Sequence, residues 1–328
     1  MLLGSRLLAA TCLTFIALMP LGAAPAQTVA GYPTKPIKLV VPFPPGGGAD
    51  LSARTFAERM GAGLGQPVVV DTRTGANGVV GTDAVAKAAP DGYTILLTDR
   101  GALGINPSLY AALPYDPLNS FAYIGIATEG PFVLVVNPAL GLKSVADLVA
   151  LAKTKPINYG SYGTGSMAQL NLEAFAQRAG IKMVHIPYKG AAPAVLAAVQ
   201  GDVVVTVASP PTVLGYLRSG RLTALAVGTD KRLGQLPEVP TMAEAGLPAD
   251  TLVPTFFALA APAGTPAPIV ARLHAELARA AAAPEVVEKL TAIGLVPIGS
   301  TPEAAARLVA QYVARFGALV KSIGIAPE

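Results

Sequence analysis

The chain has 328 residues, 24 Lys and Arg against 20 Asp and Glu for a net charge of +4, 52% hydrophobic residues and no tryptophan. This composition excludes a disordered chain, and no Lys/Arg stripe with interleaved aromatics supports nucleic-acid binding. Cys12 is the single cysteine and lies in the apolar N-terminal run expected to be cleaved, so the mature chain would have none, which excludes disulfides, thiolate catalysis and cysteine metal sites.

The first residues read as an export signal. Arg6 precedes an uncharged apolar run over residues 7–19, then Pro20 and the small-residue stretch LGAAPAQ, so cleavage is expected after Ala26. The run is short for a membrane span, and a soluble periplasmic protein is the expectation. Further along, strand-like apolar runs at 37–41, 68–71, 94–97, 132–136, 157–159, 203–207, 222–227 and 256–260 alternate with helical patterns. Those patterns lie at 51–61, 79–88, 145–152, 168–179, 192–199, 269–282 and 303–320. Such alternation predicts α/β layers with mostly parallel sheets. Proline density at 128–138 and 250–255 marks two expected crossings between lobes. The expected domains are a signal peptide over 1–26, a first lobe of 27–128 with 254–328, and a second lobe of 129–253. Thr301 and Pro302 open the last helix, whose apolar face is Val309, Tyr312, Val313, Phe316 and Val320.

Four loops look built for binding. Residues 42–50, PFPPGGGAD, form a strand-to-helix turn in which Gly46, Gly47 and Gly48 leave the backbone bare, with Asp50 read as the helix N-cap. Free N–H groups and the helix dipole favour an anion there. In the TDRG turn, Thr98 and Arg100 are candidates; Arg100 could fork a carboxylate, or Asp99 beside it could simply balance its charge. Residues 159–169, YGSYGTGSMAQ, repeat the glycine–hydroxyl pattern before a helix. Ser161, Gly163, Thr164, Gly165 and Ser166 are candidates here, with Ser166 and Gln169 also a capping box. At PYKG, Tyr188 and Lys189 could reach an anion, or Tyr188 could pack and Lys189 be solvated. Two cradles facing across a cleft suggest lobes closing on a ligand.

Enzymatic readings find little. No serine sits in a G-x-S-x-G elbow, no G-x-x-x-x-G-K-[ST] occurs, and His185 and His274 lack neighbours at metal-ligand spacing. No catalytic residue, metal or cofactor is expected.

With these loops in view, the chain resembles the Bug family of periplasmic solute receptors of tripartite tricarboxylate transporters. The matching stretches include YPTKPIKLVVPFPPGGGAD, GANGVVGTDAVAKAAPDGYTILL, YGSYGTGSMAQLNLEAF, HIPYKGAAPAVLAAVQGDV, LPEVPTMAEAGLP and PAGTPAPIVARLHAEL, in family order. The resemblance implies a two-lobed Venus-flytrap α/β fold with a ligand cleft between the lobes, a small organic carboxylate as ligand, membrane permease subunits as partners, and no catalysis. A monomer is expected. A periplasmic sensor feeding a signalling receptor, or a secreted α/β enzyme, is the alternative. Position by position, the resemblance points to Phe43, Gly46, Gly47 and Gly48 on one lobe and Ser161, Gly163, Thr164, Gly165 and Ser166 on the other, with Ser209 ending a further matching stretch. Where relatives often carry Asn or Ser, this chain has Asp99 and Arg100, and where they often carry a carboxylate it has Ala208. On that reading a ligand ammonium loses a partner at 208, and plain or aromatic carboxylates are expected over amino acids.

Overall fold

The computed structural model describes residues 31–322; the expected signal peptide over 1–26 lies outside them, as does the side chain of Val320. Two sheets organise the chain. The first contains β1 (Ile37–Val41), β2 (Val68–Thr72), β3 (Thr94–Asp99), β4 (Phe121–Gly130), β10 (Thr255–Pro262) and β11 (Val296–Pro297), in the order β11-β4-β10-β3-β1-β2. The second contains β5 (Val133–Val136), β6 (Ile157–Ser161), β7 (Met183–Pro187), β8 (Val205–Ala208) and β9 (Thr223–Val227), in the order β7-β6-β8-β5-β9. The chain passes to the second sheet between Gly130 and Val133 and returns between Val227 and Thr255.

The expectation of mostly parallel sheets needs correction. Strands joined by helices are parallel, as in β1 with β2 and β3 and in β6 with β7 and β8. The strands that carry the chain out and back, β4 with β10 and β5 with β8 and β9, pair antiparallel. Both sheets are therefore mixed, because a strand returning from the other lobe arrives from the opposite direction.

Helices cover both faces of each sheet. α1 (Gly48–Leu64), α8 (Ala267–Ala282) and α9 (Pro284–Ala292) enclose a core with Ile37, Leu39, Val41, Ile95 and Leu97. Val40, Leu96 and Phe256 point to the other face, where α2 (Val79–Ala86) and α10 (Pro302–Ser322) lie. This is the period-two alternation of a strand buried on both sides. A π-helical turn, Gly101–Ile105, and α3 (Asn106–Leu109) follow β3. On the second sheet, α4 (Val145–Thr154) and α5 (Met167–Ala179) pack around Leu134, Val205 and Val207. α6 (Ala191–Gln200) and α7 (Pro210–Arg218) pack around Val133, Val135 and Ala208. One helix reaches the boundary between the lobes: Ala305 and Val309 of α10 bury in the first, while Phe316, further along the same helix, belongs to a cluster that joins Ile105 and Leu109 of the first lobe to Leu134 and Phe175 of the second, and Arg315 lies 3.7 Å from Asp250 of the second.

Candidate ligand-binding site

The loop from β1 to α1 shows how the first lobe presents bare backbone. Its N-cap is Gly47, which has no side-chain cap, and not Asp50 as expected. Asp50 sits at the third helical position and reaches back: Oδ2 accepts the Gly46 N–H at 3.0 Å, and Oδ1 accepts from Arg54 Nε at 2.9 Å. Gly46, at φ 84, is thereby committed to shaping the turn. The N–H groups of Gly47, Gly48 and Ala49 find no protein acceptor among the described residues. A Cβ on Gly48 would meet the Phe257 ring at 3.2 Å and Ser209 Oγ at 3.3 Å, so a side chain here would crowd groups from both lobes.

These N–H groups face a cavity of about 550 Å³. The second lobe supplies Phe132, Tyr162, Gly163, Thr164, the segment from Tyr188 to Ala192, and Ser209. Gly190, at φ 123, caps α6, and a Cβ added to it would lie 3.0 Å from Pro44 Cγ of the first lobe. The N–H groups of Ala191 and Ala192 lack protein acceptors among the described residues. Two helix N-termini, α1 and α6, thus open onto one cavity from opposite lobes, an arrangement that favours an anion. Between them lies the turn before α2, where Ala76 and Asn77 hold positive φ values of 44° and 48°. The Asn77 amide donates to Asn106 Oδ1 at 2.9 Å, and Asn106 donates to the Asn77 carbonyl at 3.1 Å, which holds this strained turn in place.

Of the predicted residues, Phe43, Gly47, Gly48, Gly163, Thr164, Tyr188 and Ser209 line the cavity, and six others do not. Gly46 is occupied as above. Thr98 and Arg100 lie off the cavity for different reasons. Within β3, Ile95, Leu97 and Asp99 face the cavity side while Leu96 and Thr98 face away. Arg100 lies past the end of the strand, where the backbone turns helical and carries its side chain to Tyr312 and Phe256. Arg100 is buried, its guanidinium 3.9 Å from the Tyr312 ring centre and 5.1 Å from that of Phe256, and burial lowers its pKa to about 10. Ser161 is also buried. Its Oγ lies 2.6 Å from His185 Nε2 and donates to the Gly163 carbonyl at 3.0 Å. Gly165 is covered by Leu109, and its N–H donates to Gln169 Oε1 at 2.6 Å. Ser166 caps α5 by accepting the Gln169 N–H at 3.3 Å. The α5 N-terminus is closed by these groups, and α6 opens in its place.

The Ser161–His185 pair has no local signature in the sequence. His185 stacks on Tyr159, ring centres 5.1 Å apart, and the Tyr159 hydroxyl donates to Glu173 Oε1 at 2.5 Å. In-register pairing of Tyr159 with His185 on β6 and β7 brings these groups together. Ser161 lies outside the cavity wall with no exposed surface, so the pair ties strands together and offers no nucleophile to a substrate.

Asp99 is the residue the sequence undervalued. It sits opposite Phe257 across the β3–β10 ladder, and both line the cavity. Its Oδ1 accepts the Ala102 N–H at 2.9 Å. Burial raises its pKa to about 6, against the N–H groups of Ala102 and Gly101 and the charge of Arg100, which lower it. Burial and then the Asp99 charge hold the Tyr162 phenol well above its ordinary value. Ala208, by contrast, is buried in the α6–α7 core and does not line the cavity, so its lack of charge says nothing about a ligand ammonium.

Two α/β lobes around an aromatic-lined cleft, with helix N-termini converging on it, define a periplasmic binding protein. The profile described as "Tripartite tricarboxylate transporter family receptor" (TctC) matches residues 52–325, and the chain belongs to that family. It is 40% identical to Protein BugT of Bordetella pertussis over 296 residues, 89% of this chain and 90% of the relative. Among solved structures, the periplasmic binding protein BugD superposes with a TM-score of 0.85 at 33% identity, covering 90% of this chain and all 100% of BugD. An R. palustris protein solved with adipate gives a TM-score of 0.87 at 35% identity, covering 90% of this chain and 100% of its own. MatC of Rhodopseudomonas palustris, with bound malate, gives 0.81 at 30%, covering 88% and 100%.

Proposed function

We propose that this protein is exported to the periplasm, captures a small organic carboxylate between two closing lobes, and delivers it to the membrane permease of a tripartite tricarboxylate-type transporter. The lobes are residues 27–128 with 254–328 and residues 129–253. The observation that carries this reading is the pair of open helix N-termini, at Gly47–Ala49 and Ala191–Ala192, presented to one cavity by different lobes. The carboxylate is held by main-chain N–H groups, hydroxyls such as Thr164 and Ser209, and bridging water. Adipate and malate in two similar proteins support the ligand class.

Calorimetric titration tests capture, on mature protein unfolded and refolded to strip bound solute, with mono-, di- and tricarboxylates, aromatic acids and amino acids. Saturable binding of at least one acid is expected. Folded protein that takes none of them would sink the reading. Delivery is tested by uptake of the labelled acid into cells with and without this receptor gene; uptake unchanged by its deletion would rule delivery out.

A further inference from the structure

We propose that the ligand carries a cationic nitrogen in addition to its carboxylate, and that Asp99 is the residue that selects it. This rests on the receptor reading above and narrows its ligand.

Asp99 is the one Asp or Glu among the residues lining the cavity, and it is 6% exposed. Among the described residues it has no ion-pair partner. Arg100, its neighbour in sequence, points to the other face of the sheet, and Lys189, the one Lys or Arg on the cavity wall, is exposed. A carboxylate placed in a low-dielectric cavity without a counter-charge is costly unless a ligand supplies one. A plain dicarboxylate would bring two negative charges into a cavity that already holds Asp99, which like-charge repulsion opposes.

The walls match a cation as well. Phe43, Tyr110, Phe132, Tyr162, Tyr188 and Phe257 all contribute to the lining. Ring faces attract ammonium and pyridinium groups, and most strongly where water is excluded. Charge and aromatic surface together recognise a zwitterionic carboxylate: the anion goes to the helix N-termini and the nitrogen to Asp99.

Asp99 also holds the turn after β3 through the Ala102 N–H, and that role alone could account for a carboxylate here. The substitution Asp99→Asn separates the two, because its amide oxygen can keep the Ala102 bond while the charge is lost. The probes are matched pairs in which a methyl group replaces the ammonium: γ-aminobutyrate with pentanoate, phenylalanine with 2-methyl-3-phenylpropanoate, and aspartate with methylsuccinate. Binding is measured by calorimetry at neutral pH, with circular dichroism to establish folding. Wild-type protein should bind at least one ammonium-bearing acid at least about tenfold more tightly than its partner without the ammonium, and Asp99→Asn should abolish that preference by weakening the ammonium-bearing acid alone. Wild-type preference for the acids without the ammonium, or an equal loss for both members of a pair in Asp99→Asn, overturns the proposal and leaves the receptor reading standing. If no acid of either kind binds the folded protein, both fall.

Discussion

Asp99 should lower the stability of the empty protein at neutral pH. Its pKa stands at about 6 in the fold, raised by burial from 3.8. A shift of about two units at about 1.36 kcal/mol each makes the ionised carboxylate unfavourable by about 3 kcal/mol at most. Because the folded value is raised, the stability Asp99 permits is fully present below pH 3.8 and is lost as pH rises through about 6. Asp99→Asn removes the charge and can keep the bond to Ala102, so ligand-free variant should melt higher than wild type at pH 7. At roughly 2–4 °C per kcal/mol for chains of this size, the gain is of the order of 6–12 °C at most. The gain should shrink towards zero as the buffer approaches pH 4, where wild-type Asp99 is protonated too. Melting curves of both proteins across that range, after ligand stripping, are the assay. Equal melting temperatures at pH 7, or a gain as large at pH 4 as at pH 7, would show that Asp99 is not an unpaired buried charge.

Three other substitutions probe the geometry. Gly190→Ala puts a Cβ at 3.0 Å from Pro44 Cγ on a residue at φ 123, so ligand affinity measured by calorimetry should fall at least about tenfold with the fold intact. Arg100→Met should leave affinity within about threefold and the melting temperature equal or higher, because buried Nε and Nη1 lack hydrogen-bond partners in the native protein. A collapse in affinity would contradict the assignment of Arg100 to the far face. Gly63→Ala would overlap the carboxylate of Glu276, which is buried and held by Arg272 at 2.5 Å and Arg279 at 2.7 Å. Thermal melts should show a loss of about 1–3 kcal/mol, with ligand affinity unchanged, since α8 lies away from the cavity wall.

Local chemistry made much of the fold readable in advance. β1, the bare loop and α1 follow from an apolar run broken by prolines and glycines, and Gly180 and Gly201 end α5 and α6 in the left-handed conformation. β4 is hard to read because nearly all of its ten residues are buried, so it shows no alternation, and glycines at 125 and 130 interrupt it. α7 begins with Pro210 and Pro211, which suit a first turn yet read as a breaker, and α9 follows α8 after the single residue Ala283. In the site, one misplaced boundary matters most. Ending β3 at Leu97 hides the parity that sends Asp99 inward, although counting on from Ile95 and Leu97 reveals it; the helical turn that begins at Arg100 and carries it to the far face leaves no such count. The α6 N-terminus is masked by the side chains of Tyr188 and Lys189, which look like the binding groups, whereas the backbone beyond Gly190 faces the cavity. Which of two similar loops stays open is decided by Leu109, Gln169 and Ser166 closing the other, and a contact as distant in sequence as Leu109 with Gly165 leaves no local trace.

The helix shared between the lobes bears on how the molecule comes apart. With Ala305 and Val309 embedded in the first core and Phe316 in a cluster that both lobes share, melting either lobe strips buried surface from its neighbour. The chain also crosses between the sheets twice, so the first lobe is assembled from two separate pieces of sequence, with β10 from the later piece lying between β3 and β4 of the earlier one. Unfolding should therefore be a single cooperative calorimetric transition, with van't Hoff and calorimetric enthalpies in agreement.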